Sequence, residues 1–352
     1  MRISGRHLLL GILLSFIIYI IISIIGVFVP MIIDSAKPDP KLPPLAVDLY
    51  PMGRFMFPVP KGLGLKVAGT TFKLNKITIE EIPWKKEVSR EEYLHETWLS
   101  VRSVERENYE EAASVGPHTQ GGWAEEDITS LCGHPAMLLC YNGNMADHNI
   151  DVHIGLPDVI LRLIESRPYD VGEECLDMEG PILDLLKHYR FGRQNVSPDS
   201  FFSAAGRFEG VKSWREQAGI GLEQPTEGTR PRIHLAFDTY PVSSPGEPPK
   251  SVITIIPWAT MNGLQLRILR SQKRVLAGME GLEEVYLGDN NNDEEPRLIA
   301  SWNYHGAGND PEKPMMEIKL TCLESAKEDA LRMWDAIMKN FTTVREYYGR
   351  RS

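Results

Sequence analysis

The chain has 352 residues, of which 42% are apolar and 24% are charged, and this composition is that of a folded protein rather than a disordered one. Its length exceeds one average domain and predicts two domains of roughly 150 residues each. The 38 basic and 48 acidic residues give a formal net charge of −10. This charge argues against nucleic acid as a partner, because phosphate binding needs clustered lysine and arginine.

A membrane anchor is the first predicted element. Leu8 to Val29 forms a run of 22 residues without a charge, and at about 1.5 Å per residue such a helix spans a hydrocarbon core of roughly 30 Å. The length favours an uncleaved anchor over a cleaved signal peptide, whose apolar region has roughly 7 to 15 residues. Arg2 and Arg6 precede the run and Asp34 is the first charge after it, so the positive-inside rule predicts a cytoplasmic tip and an exported remainder.

The exported part is more acidic than the whole chain. Residues 1–33 contain two arginines and no acid, so the rest has 36 basic and 48 acidic residues and a formal net charge of −12. This charge suits a protein partner with a cationic patch, and it equally keeps a domain soluble. Charge alone does not choose between these interpretations.

Strands and one helix are predicted next. The segment MGRFMFPVPKG, residues 52–62, is typical of a short apolar strand closed by prolines and glycine. Alternating apolar residues from Phe72 to Ile79 predict an antiparallel strand pair. Ser89 and Glu92 form a capping box, which predicts a helix whose apolar stripe is Leu94, Trp98 and Val101.

The first half ends with a predicted hairpin and a second helix. The segments NIDVHIGL and VILRLIES flank a turn at Pro157 and Asp158, and their alternation predicts paired strands. Pro181 suits the first turn of a helix, whose apolar stripe is Ile182, Leu185, Leu186 and Tyr189.

The second half repeats this order of elements. The segment RIHLAFDT predicts one strand, KRVLAGMEGLEEVYLG predicts two short strands around a glycine-rich turn, and RLIASWNY and PMMEIKLTCL predict a strand pair. Ser325 and Glu328 form a further capping box before a final helix with an apolar stripe from Ala330 to Phe341.

The predicted fold class is α+β, with two tandem domains behind one N-terminal transmembrane helix. Each domain is predicted to be an antiparallel sheet packed with helices. The predicted boundaries are 1–34 for the cytoplasmic tip and anchor, 35–196 for the first domain and 197–352 for the second. The polar, turn-rich segment GRQNVSPDS marks the division.

Local catalytic motifs such as G-x-S-x-G, H-E-x-x-H and G-x-x-x-x-G-K do not occur in the sequence. A catalytic site assembled from residues distant in sequence leaves no such motif. An enzyme in which a buried Ser, Asp or Glu is hydrogen-bonded to His134, His234 or His305 therefore stays a possible interpretation. His148 and His153 are five residues apart and therefore lie on opposite faces of a strand. The sequence thus predicts no metal site and no cofactor.

The four cysteines all lie in the exported part, where oxidation is possible. Cys132 and Cys140 flank the short segment GHPAMLL, so a disulfide between them is predicted as a hairpin clip.

Two acidic loops form the predicted partner interface. GPHTQGGWAEED, residues 116–127, carries Trp123, which is either an interface hot spot or a ring packed under its own loop. GDNNNDEEP, residues 288–296, lacks the spacing of a calcium loop and is either a solvated hairpin tip or an acidic contact. The predicted interface residues are Trp123, Glu125, Glu126, Asp127, Asp289, Asp293, Glu294 and Glu295.

Five segments in order resemble the Tli immunity proteins, most firmly from Arg267 to Glu346. They are GRFMFPVPKG, RVLAGMEGLEE, Trp302 before a glycine-rich loop, PMMEIKL and ALRMWDAIMKNF. Proteins of that family protect bacteria from type VI secretion lipase effectors. The resemblance implies a periplasmic protein, here anchored in the inner membrane, that binds and occludes a lipase or phospholipase effector and catalyses no reaction.

The resemblance also implies that GRFMFPVPKG is a framework strand and that the chain has no catalytic residue to assign. Two other readings of the residues stay open at this point. One is a membrane-anchored envelope hydrolase with a dispersed active site, and the other is a structural envelope subunit.

Overall fold

The computed structural model describes residues 42–62, 64–84, 87–114, 123–144, 147–168, 180–194, 196–211, 213, 215–224, 232–251, 266–288 and 296–350. The predicted anchor, Leu8 to Val29, lies outside these residues. Within them, no helix combines the length and the apolar character needed to cross a membrane.

Eighteen strands and four helices make up the described part of the chain. The strands are β1 (Val47–Met52), β2 (Phe55–Pro60), β3 (Lys66–Leu74), β4 (Ile77–Pro83), β5 (Ala124–Leu131), β6 (His134–Asn144), β7 (Asp147–Gly155), β8 (Val159–Pro168), β9 (Tyr189–Phe191), β10 (Phe201–Phe202), β11 (Gly206–Phe208), β12 (Glu216–Gln224), β13 (Ile233–Tyr240), β14 (Leu266–Leu276), β15 (Met279–Gly288), β16 (Arg297–His305), β17 (Met315–Leu323) and β18 (Thr342–Thr343). The helices are α1 (Arg90–Ser114), α2 (Gly180–His188), α3 (Lys327–Asn340) and α4 (Val344–Gly349), with a 3₁₀ turn at Glu324–Ala326.

Twelve of these strands form one antiparallel main sheet in the order β14-β15-β16-β17-β13-β12-β3-β4-β8-β7-β6-β5. We call β3–β8 the first limb and β12–β17 the second limb. Read outward from the β3–β12 pair, both limbs have the same order of strands, and each is followed in the chain by a helix. The predicted antiparallel pairing is confirmed, but the strands predicted to form two sheets form one continuous sheet, because β3 pairs with β12. The predicted division at residue 196 stays a prediction.

The alternation of apolar residues accounts for the strands of the second limb. In β13, Ile233, Leu235 and Phe237 are fully buried, and the residues between them are partly exposed. In β17, Met316 to Cys322 follow the same alternation. The two strands predicted around the glycine-rich turn are also present, but they are 11 and 10 residues long rather than short.

The strand predicted at residues 52–62 is part of the framework. β2 lies between β1 and β18 in a small antiparallel sheet. Phe55 and Phe57 are buried, and their rings lie 6.2 and 5.0 Å from the ring of Phe237. Gly53 precedes β2 with φ of 56°, and a Cβ atom there would lie 2.8 Å from Ala218 Cβ. The segment therefore packs on the central strands of the main sheet.

The predicted helix starts had different outcomes. The N–H of Glu92 donates to Ser89 Oγ at 3.2 Å, so the predicted N-terminal cap of α1 is confirmed. α3 starts one residue later than the predicted cap Ser325 implies, because Ser325 lies in the 3₁₀ turn and the N-cap is Ala326. A capping box does occur in α4, between Thr343 and Glu346.

The second predicted helix also ends earlier than its apolar stripe. α2 buries Ile182, Leu185 and Leu186 but stops at His188. Tyr189 is buried as well, although it is the first residue of β9.

Candidate partner-binding surface

Trp123 lies immediately before β5, which is one edge of the main sheet. Its ring packs against the rings of Tyr109 and Tyr141, at centroid distances of 5.5 and 5.7 Å. The guanidinium of Arg106 lies 5.0 Å from the centroid of the same ring. We call these four residues the Trp123 cluster. Trp, Tyr and Arg are the residue types that most often dominate the binding energy of protein interfaces.

Glu125 fixes the polar edge of the Trp123 ring. The Nε1–H of Trp123 donates to Glu125 Oε1 at 2.6 Å, and Arg102 Nε lies 2.7 Å from the same oxygen. Desolvation raises the pKa of Glu125, but the hydrogen bonds from Arg102 and Trp123 outweigh it and hold the pKa below its ordinary value. The carboxylate therefore stays ionised and orients the ring against α1.

The described structure does not place the other predicted interface residues in the Trp123 cluster. Glu126 and Asp127 lie on β5, opposite Leu138 and Met137, and their side chains are outside the description. The acids of the second loop, Asp289, Asp293, Glu294 and Glu295, also lie outside the described residues. Of the predicted set, the structure brings together Trp123 and Glu125.

The predicted Cys132–Cys140 disulfide was wrong. Cys132 is an exposed free thiol in the β5–β6 turn, whereas Cys140 is in a disulfide with another cysteine. Cys140 lies eight residues further along the chain, in β6 opposite Ala124. At about 3.3 Å per residue of strand the two are roughly 26 Å apart, far beyond the roughly 7 Å limit between bridged Cα atoms.

A buried ion cluster lies near the Trp123 cluster, between the first limb and α1. Arg162 on β8 donates to Asp151 Oδ2 at 2.6 Å and to Glu80 at 2.8 Å. His153 Nε2 lies 3.0 Å from Asp151 Oδ1, and both residues are fully buried. Burial raises the pKa of Asp151, but its contacts with His153 and Arg162 prevail and hold the pKa below its ordinary value.

The histidines singled out in the sequence form no metal or catalytic site in the described chain. The side chain of His148 is not described, and no described group of three or more His, Cys, Asp or Glu residues is arranged to hold a metal ion. His234 Nε2 lies 3.9 Å from Glu223, and both side chains are partly exposed. In the same ranges, no buried serine or carboxylate is hydrogen-bonded to His134, His234 or His305.

An open cavity of about 610 Å³ lies beside the β1–β2 hairpin. This cavity was not predicted from the sequence. Arg54 binds Glu216 with two hydrogen bonds of 2.6 Å, which join β2 to β12. Arg345 lies 2.6 Å from both Asp199 and Glu312 on the cavity rim. Because every one of these arginines is already paired with a carboxylate, the cavity is closer to a structural junction than to an anion site.

The first limb opens between its strands β3 and β4. β3 and β4 are paired only at Lys73–Thr78 and Leu74–Ile77, after which β4 pairs with β8. On the β4 side, Glu81 accepts hydrogen bonds from Tyr189 and Ser203, which belong to the segment that includes the small β9–β11 sheet. On the β3 side, the residues from Lys66 to Thr71 are exposed. The main sheet therefore has an opening inside the first limb, between β3 and β4.

Comparisons with known proteins agree with this architecture. Residues 206–343 match the family model described as the Tle cognate immunity protein 4 C-terminal domain. The apo immunity protein TplEi of the T6SS from Pseudomonas aeruginosa has a similar fold, with a TM-score of 0.57, 16% identity, and 85% of this chain and 98% of that chain covered. No curated protein matches the chain.

Two further solved structures have the same fold. TplEi from Pseudomonas aeruginosa complexed with "L" peptide gives a TM-score of 0.57 at 15% identity, covering 85% of this chain and 99% of that chain. The Tle4–Tli4 complex gives 0.58 at 15% identity, covering 85% and 98%. At such identity these structures establish the fold, and the family model supplies the assignment. Residues 206–343 therefore carry the C-terminal domain of the Tle cognate immunity protein 4 family, and this match assigns the chain an immunity role.

Proposed function

We propose that this immunity protein binds one lipase or phospholipase effector and occludes it in the periplasm. The apolar run from Leu8 to Val29 holds it in the inner membrane by a single pass. The order of charges around that run, with Arg2 and Arg6 before it and Asp34 after it, supports an exported remainder. A tether of this kind keeps the binder at the membrane, where a lipase meets its substrate.

Two tandem domains, residues 35–196 and 197–352, provide the gripping surface in this proposal. The repeated order of strands in the two limbs supports the division. The opening between β3 and β4 lies inside the first of these domains, and a concave opening of this kind is a common place to hold a protruding element.

The Trp123 cluster is the observation that carries the proposal. It places a tryptophan, two tyrosines and an arginine at the outer edge of the first limb, with the Trp123 ring already oriented by Glu125. Because these side chains are fixed before binding, the partner meets a preorganised surface and less conformational entropy is lost.

Occlusion follows from differential affinity for one state of the effector. Many lipases open a lid over the active site, and a binder that prefers the closed lid shifts the population toward it. Moving a lid from about 99:1 open to about 1:99 takes roughly 5.5 kcal/mol of preference for the closed state. An interface of standard size supplies this amount.

The first experiment is capture with the full chain, extracted in mild detergent, from cells that carry the secretion genes. We expect a type VI secretion lipase at a ratio near one to one, and we expect its activity to fall when the chain is added. Capture of other envelope proteins without a lipase, or a captured lipase whose activity is unchanged, would contradict occlusion.

A matched pair of variants tests the surface. We expect Trp123→Ala to weaken binding of the captured lipase by at least about tenfold, which is the loss of a typical hot spot. Val104→Ser is the control, because Val104 is 55% exposed on α1 and lies two residues from Arg102, a spacing that does not share a helix face. Equal binding by Trp123→Ala and the wild type would remove the Trp123 cluster from the interface and leave occlusion itself intact.

A further inference from the structure

One edge of β3 is open along most of its length. Residues 66–74 pair with β12 on one side, and on the other side β4 reaches only Lys73 and Leu74. In the part of the chain that the structure describes, no strand pairs with the second edge of residues 66–72. All six residues from Lys66 to Thr71 are exposed, and Val67 retains 61% of its accessible surface.

The backbone groups on this edge can be assigned from one hydrogen bond. The N–H of Asn75 donates to the carbonyl of Arg215 at 3.0 Å, on the β12 side. Backbone groups of successive strand residues point to alternate sides, so Lys73 and Thr71 also face β12. Thr70 and Phe72 therefore direct their N–H and C=O groups toward the open edge.

The second limb shows what covers an edge of this kind. β12 is the counterpart of β3, and its far edge is paired with β13 over Gly219–Gln224. Counted back from the hairpin that ends each strand, Gly69–Phe72 corresponds to Gly219–Leu222. No described strand takes the place beside β3 that β13 takes beside β12, because β4 leaves after two pairs.

The side chains along the edge define the chemistry of a partner strand. Residues 67–72 are Val, Ala, Gly, Thr, Thr and Phe, with lysines at positions 66 and 73 and no charge between them. Val67 lies opposite Leu222 and Thr70 opposite Ile220, so they share the face on which Leu222 and Ile220 are buried. A strand added here would cover Val67, and its own side chains would be neutral.

We propose that an extended, uncharged segment of the lipase effector adds to this edge as a β-strand, pairing with the backbone of Thr70 and Phe72. This inference rests on the proposed function, since the effector supplies the segment. Exposed strand edges are the usual templates for such main-chain recognition, and a register of about four residues fits the open stretch. The chain then grips the effector at the opening between β3 and β4.

Amide hydrogen exchange on the full chain, with and without the captured lipase, tests the pairing directly. We expect the amides of Thr70 and Phe72 to exchange at least about tenfold more slowly in the complex. Those of Thr71 and Lys73, which already face β12, should change little. If the lipase binds and the amides of Thr70 and Phe72 are unaffected, strand addition is overturned while occlusion stands. If no lipase binds, both proposals fall together.

A variant pair isolates the backbone donor from the side chain. Thr70→Pro removes the outward N–H, and a proline is tolerated on an edge strand whose N–H faces solvent. Thr70→Ala retains that N–H. We expect Thr70→Pro to weaken lipase binding by about tenfold and Thr70→Ala to leave it unchanged. Equal behaviour of the two variants would contradict strand addition.

Two further measurements keep the test decisive. If Thr70→Pro fails to fold, Val67→Lys provides the alternative, because an added edge charge disfavours strand pairing and should also weaken binding by about tenfold. Protection of Thr70 and Phe72 that grows with chain concentration in the absence of lipase would assign the edge to a second copy of this chain, and would overturn the proposal.

Discussion

The first and second limbs share an order of strands, but they place their buried carboxylates on different surfaces. In the first limb, Asp151 lies between the sheet and α1 with Arg162 and His153. In the second limb, Glu283 lies between the sheet and α3, where Trp334 donates to it at 2.8 Å. The same order of strands therefore tolerates a buried carboxylate on either face of the sheet, provided that hydrogen bonds satisfy the carboxylate oxygens.

The two carboxylates also differ in how many partners depend on them. Glu283 accepts hydrogen bonds from Arg270, Gln272, Arg274 and Trp334, at 2.6 to 2.9 Å. Burial raises its pKa, but these hydrogen bonds outweigh burial and hold the pKa below its ordinary value. Each limb has one arginine with a second carboxylate, since Arg162 also pairs with Glu80 and Arg270 with Asp335. Glu283 has more donors that depend on it, so the second limb should be the more sensitive to loss of its carboxylate.

The largest expected effect is that of Glu283→Ala. The substitution leaves Gln272, Arg274 and the Trp334 N–H without their shared acceptor, whereas Arg270 keeps Asp335 at 2.6 Å, so we expect the free energy of unfolding to fall by about 3 to 5 kcal/mol. Urea unfolding followed by tryptophan fluorescence measures the change. Glu280→Ala is the control on the same strand, because its pair with Lys273 is exposed to solvent and its loss should leave the free energy of unfolding nearly unchanged. Equal losses in the two variants would contradict the comparison of the limbs.

A smaller effect is expected for Asp151→Asn, since Arg162 keeps Glu80 and the amide keeps the shape of the site. We expect a loss of about 1 to 3 kcal/mol at neutral pH. The pKa of Asp151 is lower in the folded chain, so its contribution is complete above the unfolded pKa of about 4 and is lost as the pH falls below it. Urea unfolding between neutral pH and pH 3 should therefore show a weaker acid dependence in the variant.

Asp158→Asn is the control for that series, because Asp158 lies exposed in the β7–β8 turn. It should reproduce the acid dependence of the wild-type chain. An Asp151→Asn profile parallel to that of the wild type across this range would show that Asp151 is not held ionised by Arg162 and His153.

The smallest expected effect is that of Arg345→Ala, outside both limbs. Arg345 lies 2.6 Å from Asp199 and Glu312, but its side chain is 55% exposed. We expect a loss of about 0 to 1 kcal/mol that disappears near 1 M salt, where exposed ion pairs are screened. A loss as large as that of Glu283→Ala would show that the cavity rim is a main support of the fold.

Individual strands could be predicted from the sequence wherever one face of the strand is polar and the other is apolar. The alternation in β13 and β17 and the Pro157–Asp158 turn predicted the strands correctly. The same reasoning treats Asp151 and His153 as solvent-facing, because alternation does not reveal that α1 covers their face. Burial on the polar side of a strand depends on tertiary packing, which a single-strand pattern does not contain.

Contacts between residues that are distant in the chain could not be predicted from the sequence. Trp123 was predicted as a candidate anchor, but the two tyrosine rings that pack on it belong to α1 and β6, which lie on either side of Trp123 in the chain. The capping motif at Ser325 was overridden by the 3₁₀ turn that joins β17 to α3. The Cys132–Cys140 prediction failed because both residues extend along one hairpin, where closeness in sequence does not bring side chains together.

The small sheet that holds β2 has a consequence for how the protein is made. β2 pairs with β18, so Phe55 meets Thr343, and the N–H of Val344 donates to the carbonyl of Arg54 at 2.8 Å. Contacts this distant in sequence form late, because almost the whole chain must be closed into a loop first. During synthesis the apolar β1–β2 hairpin is made early, long before the last residues of the chain. The small sheet is therefore completed last, and until then its apolar residues depend on protection from aggregation.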